Sequence, residues 1–140
     1  MENNPTIIPV VAACIRDPEG RLLMQQALPG KRHAGMWEFP GGKVESGETP
    51  RFALCREVAE ELGLELFADA MEPAGFAEEP AQGDRPGLVL FLYSCLTWRG
   101  VPEAREGQRW GWFTPAEARS LELPAMDRTL LQGLGRRDPA

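Results

Sequence analysis

Three glutamates, Glu57, Glu60 and Glu61, stand at i, i+3 and i+4, so any helix through them carries all three on one face. Like charges that close repel and destabilise an isolated helix. A hard divalent cation would turn the repulsion into ligation, because Mg²⁺ takes oxygen ligands and keeps waters and substrate phosphates in its other positions. A solvated acidic face is the plainer account of such a cluster. Arg56 sits beside the acids, where a guanidinium can fix a carboxylate by a bidentate pair. Ahead of them, Gly41-Gly42 lets backbone approach a ligand closely.

The element that must position these residues is a helix over residues 50–62. Thr49 suits the N-cap and Pro50 the first helical position, where a missing N–H costs nothing. Gly63 fits the left-handed residue that ends a helix, and Leu64 can fold back onto the last turn. Helical periodicity spreads Phe52, Leu54, Cys55, Val58, Ala59 and Leu62 over one apolar arc that is expected to be buried. Only Ala53 shares the acidic arc, and its small side chain leaves space above the carboxylates.

A fixed pattern surrounds the cluster. From Gly42, five residues lead to Glu48 and seven more to Arg56-Glu57; then come Val58, Ala59, Glu60-Glu61, Leu62, Gly63 and Leu64. This resembles the Nudix box at every position, and composition alone gives such a match about once in ten million. The words GMWEFPGGKVESGET are similar to the MutT-like branch of that superfamily. The resemblance implies Glu57 as general base, Glu60 and Glu61 as principal metal ligands, and the carbonyl of Gly41 in the metal shell. It implies a further ligand, Glu106, from the pattern Glu106-Gly107-Gln108, for which a solvated loop acid is the alternative. Glu48 would support the loop or a water on the metal. The base would be read by the backbone at Phe39 and by Asp127 at the start of the last helix, unless Asp127 is only a helix-dipole acid. Where the branch often places a phosphate-facing arginine, this chain has Gln25-Gln26, so Lys31, Arg32 or Lys43 would have to supply that charge.

The activity implied is hydrolysis of nucleoside triphosphates to monophosphate and pyrophosphate with Mg²⁺, or Mn²⁺ in its place. Oxidised purine (8-oxo-dGTP-like) or cytosine nucleotides are the leading substrates. A nucleotide-binding sensor without turnover, or a hydrolase of another nucleoside diphosphate-linked substrate, is the alternative. The intact box glutamates favour the enzyme.

The chain has 140 residues, a length that suits one domain over 1–140, with residues 1–5 and 136–140 expected to fray. Its 43% hydrophobic and 26% charged content is that of a soluble globular protein. No membrane span or leader is expected, which points to the cytoplasm. Cys14, Cys55 and Cys95 lie far apart in apolar segments and read as buried free thiols. With His33 the only histidine, a Cys/His metal cluster or a Ser–His–Asp triad is poorly supplied. A net charge of −6 argues against nucleic acid polymers but permits a metal-bridged nucleotide. Monomer and homodimer are both compatible.

In chain order, residues 7–15 form a near-continuous apolar run suited to a strand covered on both faces. A turn at 17–20 leads to a strand over 22–26, then to a loop over 27–35. Trp37 serves either core packing or base stacking. Strands follow at 71–79, 88–98 and 109–113, with Trp110 and Trp112 on one face of the last. Thr114-Pro115 opens a short helix, and an amphipathic helix covers 125–134. The expected class is α/β: an α/β/α sandwich with a mixed sheet, in agreement with the Nudix fold.

Overall fold

In the computed structural model, which describes residues 7–137, the apolar run becomes β1 (Ile7–Ile15). It pairs antiparallel with β4 (Gly41–Lys43) on one side and parallel with β7 (Gly87–Cys95) on the other. β6 (Glu72–Glu79) runs antiparallel to β7 and closes this four-stranded mixed sheet. In a second sheet β2 (Leu22–Gln26) lies between β3 (Trp37–Glu38) and β9 (Trp110–Phe113). β5 (Glu65–Leu66) and β8 (Trp98–Arg99) form a two-stranded ribbon. The helices are α1 (Pro50–Leu62), α2 (Pro115–Arg119) and α3 (Ala125–Arg137).

Successive residues of a strand point to opposite faces, and β1 shows what that does to a run with no polar member. Val11, Ala13 and Ile15 pack with Leu54, Val58 and Leu62 of α1. Ala12 and Cys14 face the other way, into a cluster with Leu90, Leu92, Met126, Leu130 and Leu131, the last three from α3. The sheet is therefore apolar on both sides because each side carries a helix. The architecture is the expected α/β class, a mixed sheet between helices.

The caps of α1 follow from local chemistry. The Thr49 hydroxyl accepts from the Phe52 N–H at 3.4 Å, and Gly63 takes φ 70° while its N–H donates to Ala59 O. Its rotation departs from the periodicity reading. Phe52, expected to be buried, is 64% exposed, whereas Ala53, assigned to the acidic arc, is fully buried. The stripe that packs on the sheet is Ala53, Leu54, Val58 and Leu62. Ala53 is small enough to let this side of the helix approach the sheet, and it draws its i+4 and i+8 neighbours, Glu57 and Glu61, inward with it.

Other differences have similarly local causes. The strand expected over 88–98 stops at Cys95, and Trp98 belongs instead to β8, where it stacks on Trp112 at 5.6 Å. Cys14 and Cys95 are buried and in no disulfide, but Cys55 is only half-buried, its Sγ 3.6 Å from Leu66 O. Trp37 packs edge-on against Phe113 with ring centroids 5.2 Å apart, which is core packing. α3 runs to Arg137, three residues past its expected end; the expected fraying of 1–5 and of 138–140 lies outside the described residues. Among the described residues no helix is long and apolar enough to cross a membrane.

Candidate active site

A cavity of about 670 Å³ opens between the two sheets, a volume suited to a nucleotide-sized ligand. One end is acidic and is built from β4, α1 and the loop before β9. The other is floored by Ile8, Val10, Leu88, Leu90 and Met126, with Glu38, Phe39 and Asp127 set into its wall.

At the acidic end Glu57, Glu61 and Glu106 all line the cavity. Glu61 Oε1 accepts from the Gly41 N–H at 3.2 Å. Burial pushes its carboxyl up to about 8, and the charges of Glu57 and Glu106 push the same way, against the Gln25 amide and the Gly41 N–H. Glu57 lies against Gly42, so closely that a Cβ there would fall 2.4 Å from its Cδ. Burial also raises the Glu57 carboxyl, opposed by Arg56 and reinforced by Glu60 and Glu106.

Arg56 organises the other flank. Its Nε and Nη2 donate to the two oxygens of Glu48 at 2.6 and 2.8 Å, and its Nη1 donates to Glu57 Oε1 at 2.9 Å. Nη2 also donates to the carbonyl of Lys43 at 3.2 Å. Glu48 Oε1 accepts from the Glu45 N–H, closing the turn before the helix. The Arg56 guanidinium, followed by that N–H, holds the Glu48 carboxyl down at about 2. Its folded value is depressed, so its stabilising contribution is present above pH 4.5 and is lost as pH falls through about 2. Arg56→Lys keeps a charge but loses the fork. Urea midpoints should then show the variant furthest below the native protein above pH 4.5, with the gap narrowing toward pH 2. A gap independent of pH would mean that Glu48 is not what Arg56 holds.

Glu60, expected to join Glu57 and Glu61 on the metal, does not line the cavity. Its side chain is 57% exposed and lies 3.5 Å from Arg56 Nη1. The inward turn of α1 that buries Ala53 carries the 57/61 row toward the sheet and leaves Glu60 on the solvent side. Among the described residues no three Asp, Glu, His or Cys side chains are already gathered about one point. The donor set still fits a hard cation. It is all oxygen, and among the described residues the buried Glu61 carboxylate has only neutral hydrogen-bond partners, an arrangement that is costly for a charge without a counter-ion.

At the other end the two expected base readers engage each other: the buried Phe39 N–H donates to Asp127 Oδ2 at 3.1 Å. Burial pushes Asp127 up to about 7. Glu38, which periodicity gave no reason to single out, faces the same space; burial and then the nearby Asp127 push it up to about 8. Gln26 and Lys43 line the cavity, the former donating from Nε2 to Gly35 O at 2.9 Å. The mouth is crossed by a tie between the β2–β3 loop and β6. Arg32 forms an ion pair with Glu79, and His33 Nε2 stands 2.9 Å from Glu79 Oε1. Lys31 and Arg85 also line the cavity, so cationic side chains flank the entrance.

The family model described as the NUDIX domain matches residues 6–134, nearly the whole of this fold. The chain belongs to the Nudix family. It is similar to an 8-oxo-dGTP diphosphatase of Haemophilus influenzae, 37% identical over 129 residues and 91% of each chain. A CTP pyrophosphohydrolase of Escherichia coli is 36% identical over 128 residues, 90% of each chain. The crystal structure of a MutT NUDIX hydrolase from Burkholderia pseudomallei matches with a TM-score of 0.81 at 26% identity, covering 91% of this chain and 98% of that one. The chain is thus a Nudix hydrolase of the MutT-like kind, an enzyme that cleaves nucleotide pyrophosphate linkages. Nudix hydrolases generally use a divalent metal.

Proposed function

We propose that this Nudix hydrolase cleaves (deoxy)nucleoside triphosphates to monophosphate and pyrophosphate with Mg²⁺, acting on oxidised purine or cytosine nucleotides. The observation that carries the reading is the polarity of the cavity. Glu57, Glu61 and Glu106 stand at one end, and Phe39, Asp127 and Glu38 stand at the other. A triphosphate placed with its phosphates among the acids puts its base against the apolar floor.

Mg²⁺ held by Glu57, Glu61, Glu106 and the carbonyl of Gly41 would mask phosphate charge and make a water more acidic. The chain's own residues do the rest. Glu57 takes the proton of the attacking water, and Arg56 keeps the Glu57 carboxylate aimed by its 2.9 Å hydrogen bond. Glu48 fixes Arg56 in turn. Lys43, next to Gly42 at the acidic end, supplies positive charge near the phosphates in place of the arginine that Gln26 replaces. Pyrophosphate release from 8-oxo-dGTP, dGTP, dCTP and CTP, with Mg²⁺ and with excess chelator, tests the proposal. Full activity in chelator, or no turnover of any of the four, would overturn it.

The base end makes a sharper claim. A carboxyl held near neutrality offers both an O–H donor and an acceptor, whereas an ionised one only accepts. Asp127 and Glu38 can therefore pair with an edge carrying mixed donors and acceptors, as oxidised guanine and cytosine do. Asp127→Asn and Glu38→Gln should change the ratio of kcat/KM between competing triphosphates, because an unpaired buried polar edge costs about 1–3 kcal/mol. An equal slowing of every substrate would remove both residues from base selection.

The same burial has a sign in stability. A carboxyl with a raised folded pKa contributes stability that is fully present below 3.8, the ordinary value for Asp127, and is lost as pH rises through about 7. Asp127→Asn should accordingly gain on the native protein across that interval.

A further inference from the structure

Two buried glutamines stand behind the acidic end, and the chemistry proposed above gives them no part. Gln25 and Gln108 are each 5% exposed. Gln108 uses both its donor hydrogens and its acceptor oxygen. Its Nε2 donates to Gln25 Oε1 at 3.0 Å and to the backbone carbonyl of Glu61 at 2.9 Å, and its Oε1 accepts from the Glu106 N–H at 3.1 Å. One amide therefore joins β2, the last turn of α1 and the loop that carries Glu106. The Gln25 amide in turn stabilises the charged form of the Glu61 carboxyl, against the rise that burial imposes.

Buried polar side chains are costly unless fully paired, so a residue satisfied by three separate segments holds those segments in register. The rest of the loop docks on the same helix end: Glu103 N–H donates to Leu62 O at 2.9 Å, and Arg105 N–H to Glu61 O at 3.2 Å. Those contacts fix the start of the loop. Gln108 fixes its far side, at the peptide of Glu106 itself. The two donors and one acceptor it supplies demand an amide. A glutamate offers no donors when ionised, and an asparagine is one methylene short.

We propose that Gln108 is a positioning residue that sets Glu106 opposite Glu61, so that the loop carboxylate and the helix carboxylates act on one cation. The inference rests on the metal reading of the acidic end. It goes beyond that reading in giving the third acid a specific support, of the kind that orients ligands from behind.

The test uses Mn²⁺ alone as probe. Its binding to the full chain is followed by the electron paramagnetic resonance signal of free Mn²⁺, with folding checked by circular dichroism. Gln108→Met keeps the volume and removes the hydrogen bonds. It should weaken Mn²⁺ binding roughly tenfold, as loss of such supporting groups does. Glu106→Gln should weaken it by a similar factor. Combining the two should weaken it no further, because Gln108 acts through Glu106. A merely structural glutamine would leave Mn²⁺ affinity unchanged in the folded variant, or would add its effect to that of Glu106→Gln. Either result overturns the proposal. If Gln108→Met does not fold, Gln108→Asn carries the same comparison. If the native chain binds no Mn²⁺, the metal reading falls and the proposal with it. If it binds and Glu57→Gln weakens it while the Gln108 variants do not, only the role of Gln108 falls.

Discussion

Glu57→Gln is expected to lower kcat by roughly 10²- to 10⁴-fold, the usual contribution of a general base, without loss of stability. The replacement keeps shape and volume, and the amide oxygen can still accept from Arg56 Nη1, now 2.9 Å from Glu57 Oε1. What it removes is a proton acceptor whose basicity is already raised, first by burial and then by the charges of Glu60 and Glu106. It also removes one of several like charges around the cavity, so the melting temperature should hold or rise. Saturating nucleotide and Mg²⁺ isolate kcat from binding. Turnover like that of the native chain would remove Glu57 from the chemistry.

Gly42→Ala should separate activity from folding in another way. The added Cβ would sit 2.4 Å from Glu57 Cδ and within 2.7 Å of both carboxylate oxygens. The clash is with the far end of a flexible side chain, and the Gly42 backbone is not in the left-handed region, so the fold can absorb the methyl by turning Glu57 aside. A displacement of about 1 Å in a reacting group is enough to cost roughly 100-fold in rate. Gly41→Ala is the contrasting control. Its Cβ would lie 1.9 Å from the carbonyl oxygen of Val11, inside the β1–β4 pairing, and backbone cannot step aside. That variant should lose the fold, while Gly42→Ala keeps its circular dichroism and loses turnover. Normal kcat in Gly42→Ala would show that Glu57 need not lie where the structure places it.

The parts of this architecture that were legible in the sequence are those written in contiguous residues. Thr49, Pro50 and Gly63 bound α1 because capping is a local matter, and the same holds for Thr114-Pro115 at the start of α2, where the structure adds a reciprocal capping box with Glu117. The long apolar runs announced β1 and β7. Strands of two or three residues, β3, β4, β5 and β8, carry no period to detect.

The site divides along the same line. Glu57 and Glu61 could be singled out from spacing, but the rotation of α1 that separates them from Glu60 depends on Ala53 meeting the sheet. Glu38 reads as an ordinary strand acid until Asp127, far along the chain, is folded beside it. Gln25 and Gln108 lie 83 positions apart, and nothing local to either announces their pairing.

The two ends of the cavity are built from different kinds of parts, and this bears on how such an enzyme can diverge. Glu57 and Glu61 stand on α1 and against β4, whose contacts are also core contacts, so change there threatens the scaffold itself. Above a floor of β1 and β7 residues, the walls of the far end come from the 27–36 loop, the 80–86 connection and the first turn of α3, with Arg32 and His33 paired to Glu79 across the mouth. Those pieces can be exchanged, lengthened or recharged while α1 keeps its seat. Descendants of this chain should therefore drift in which nucleotide they accept long before they drift in what they do to it.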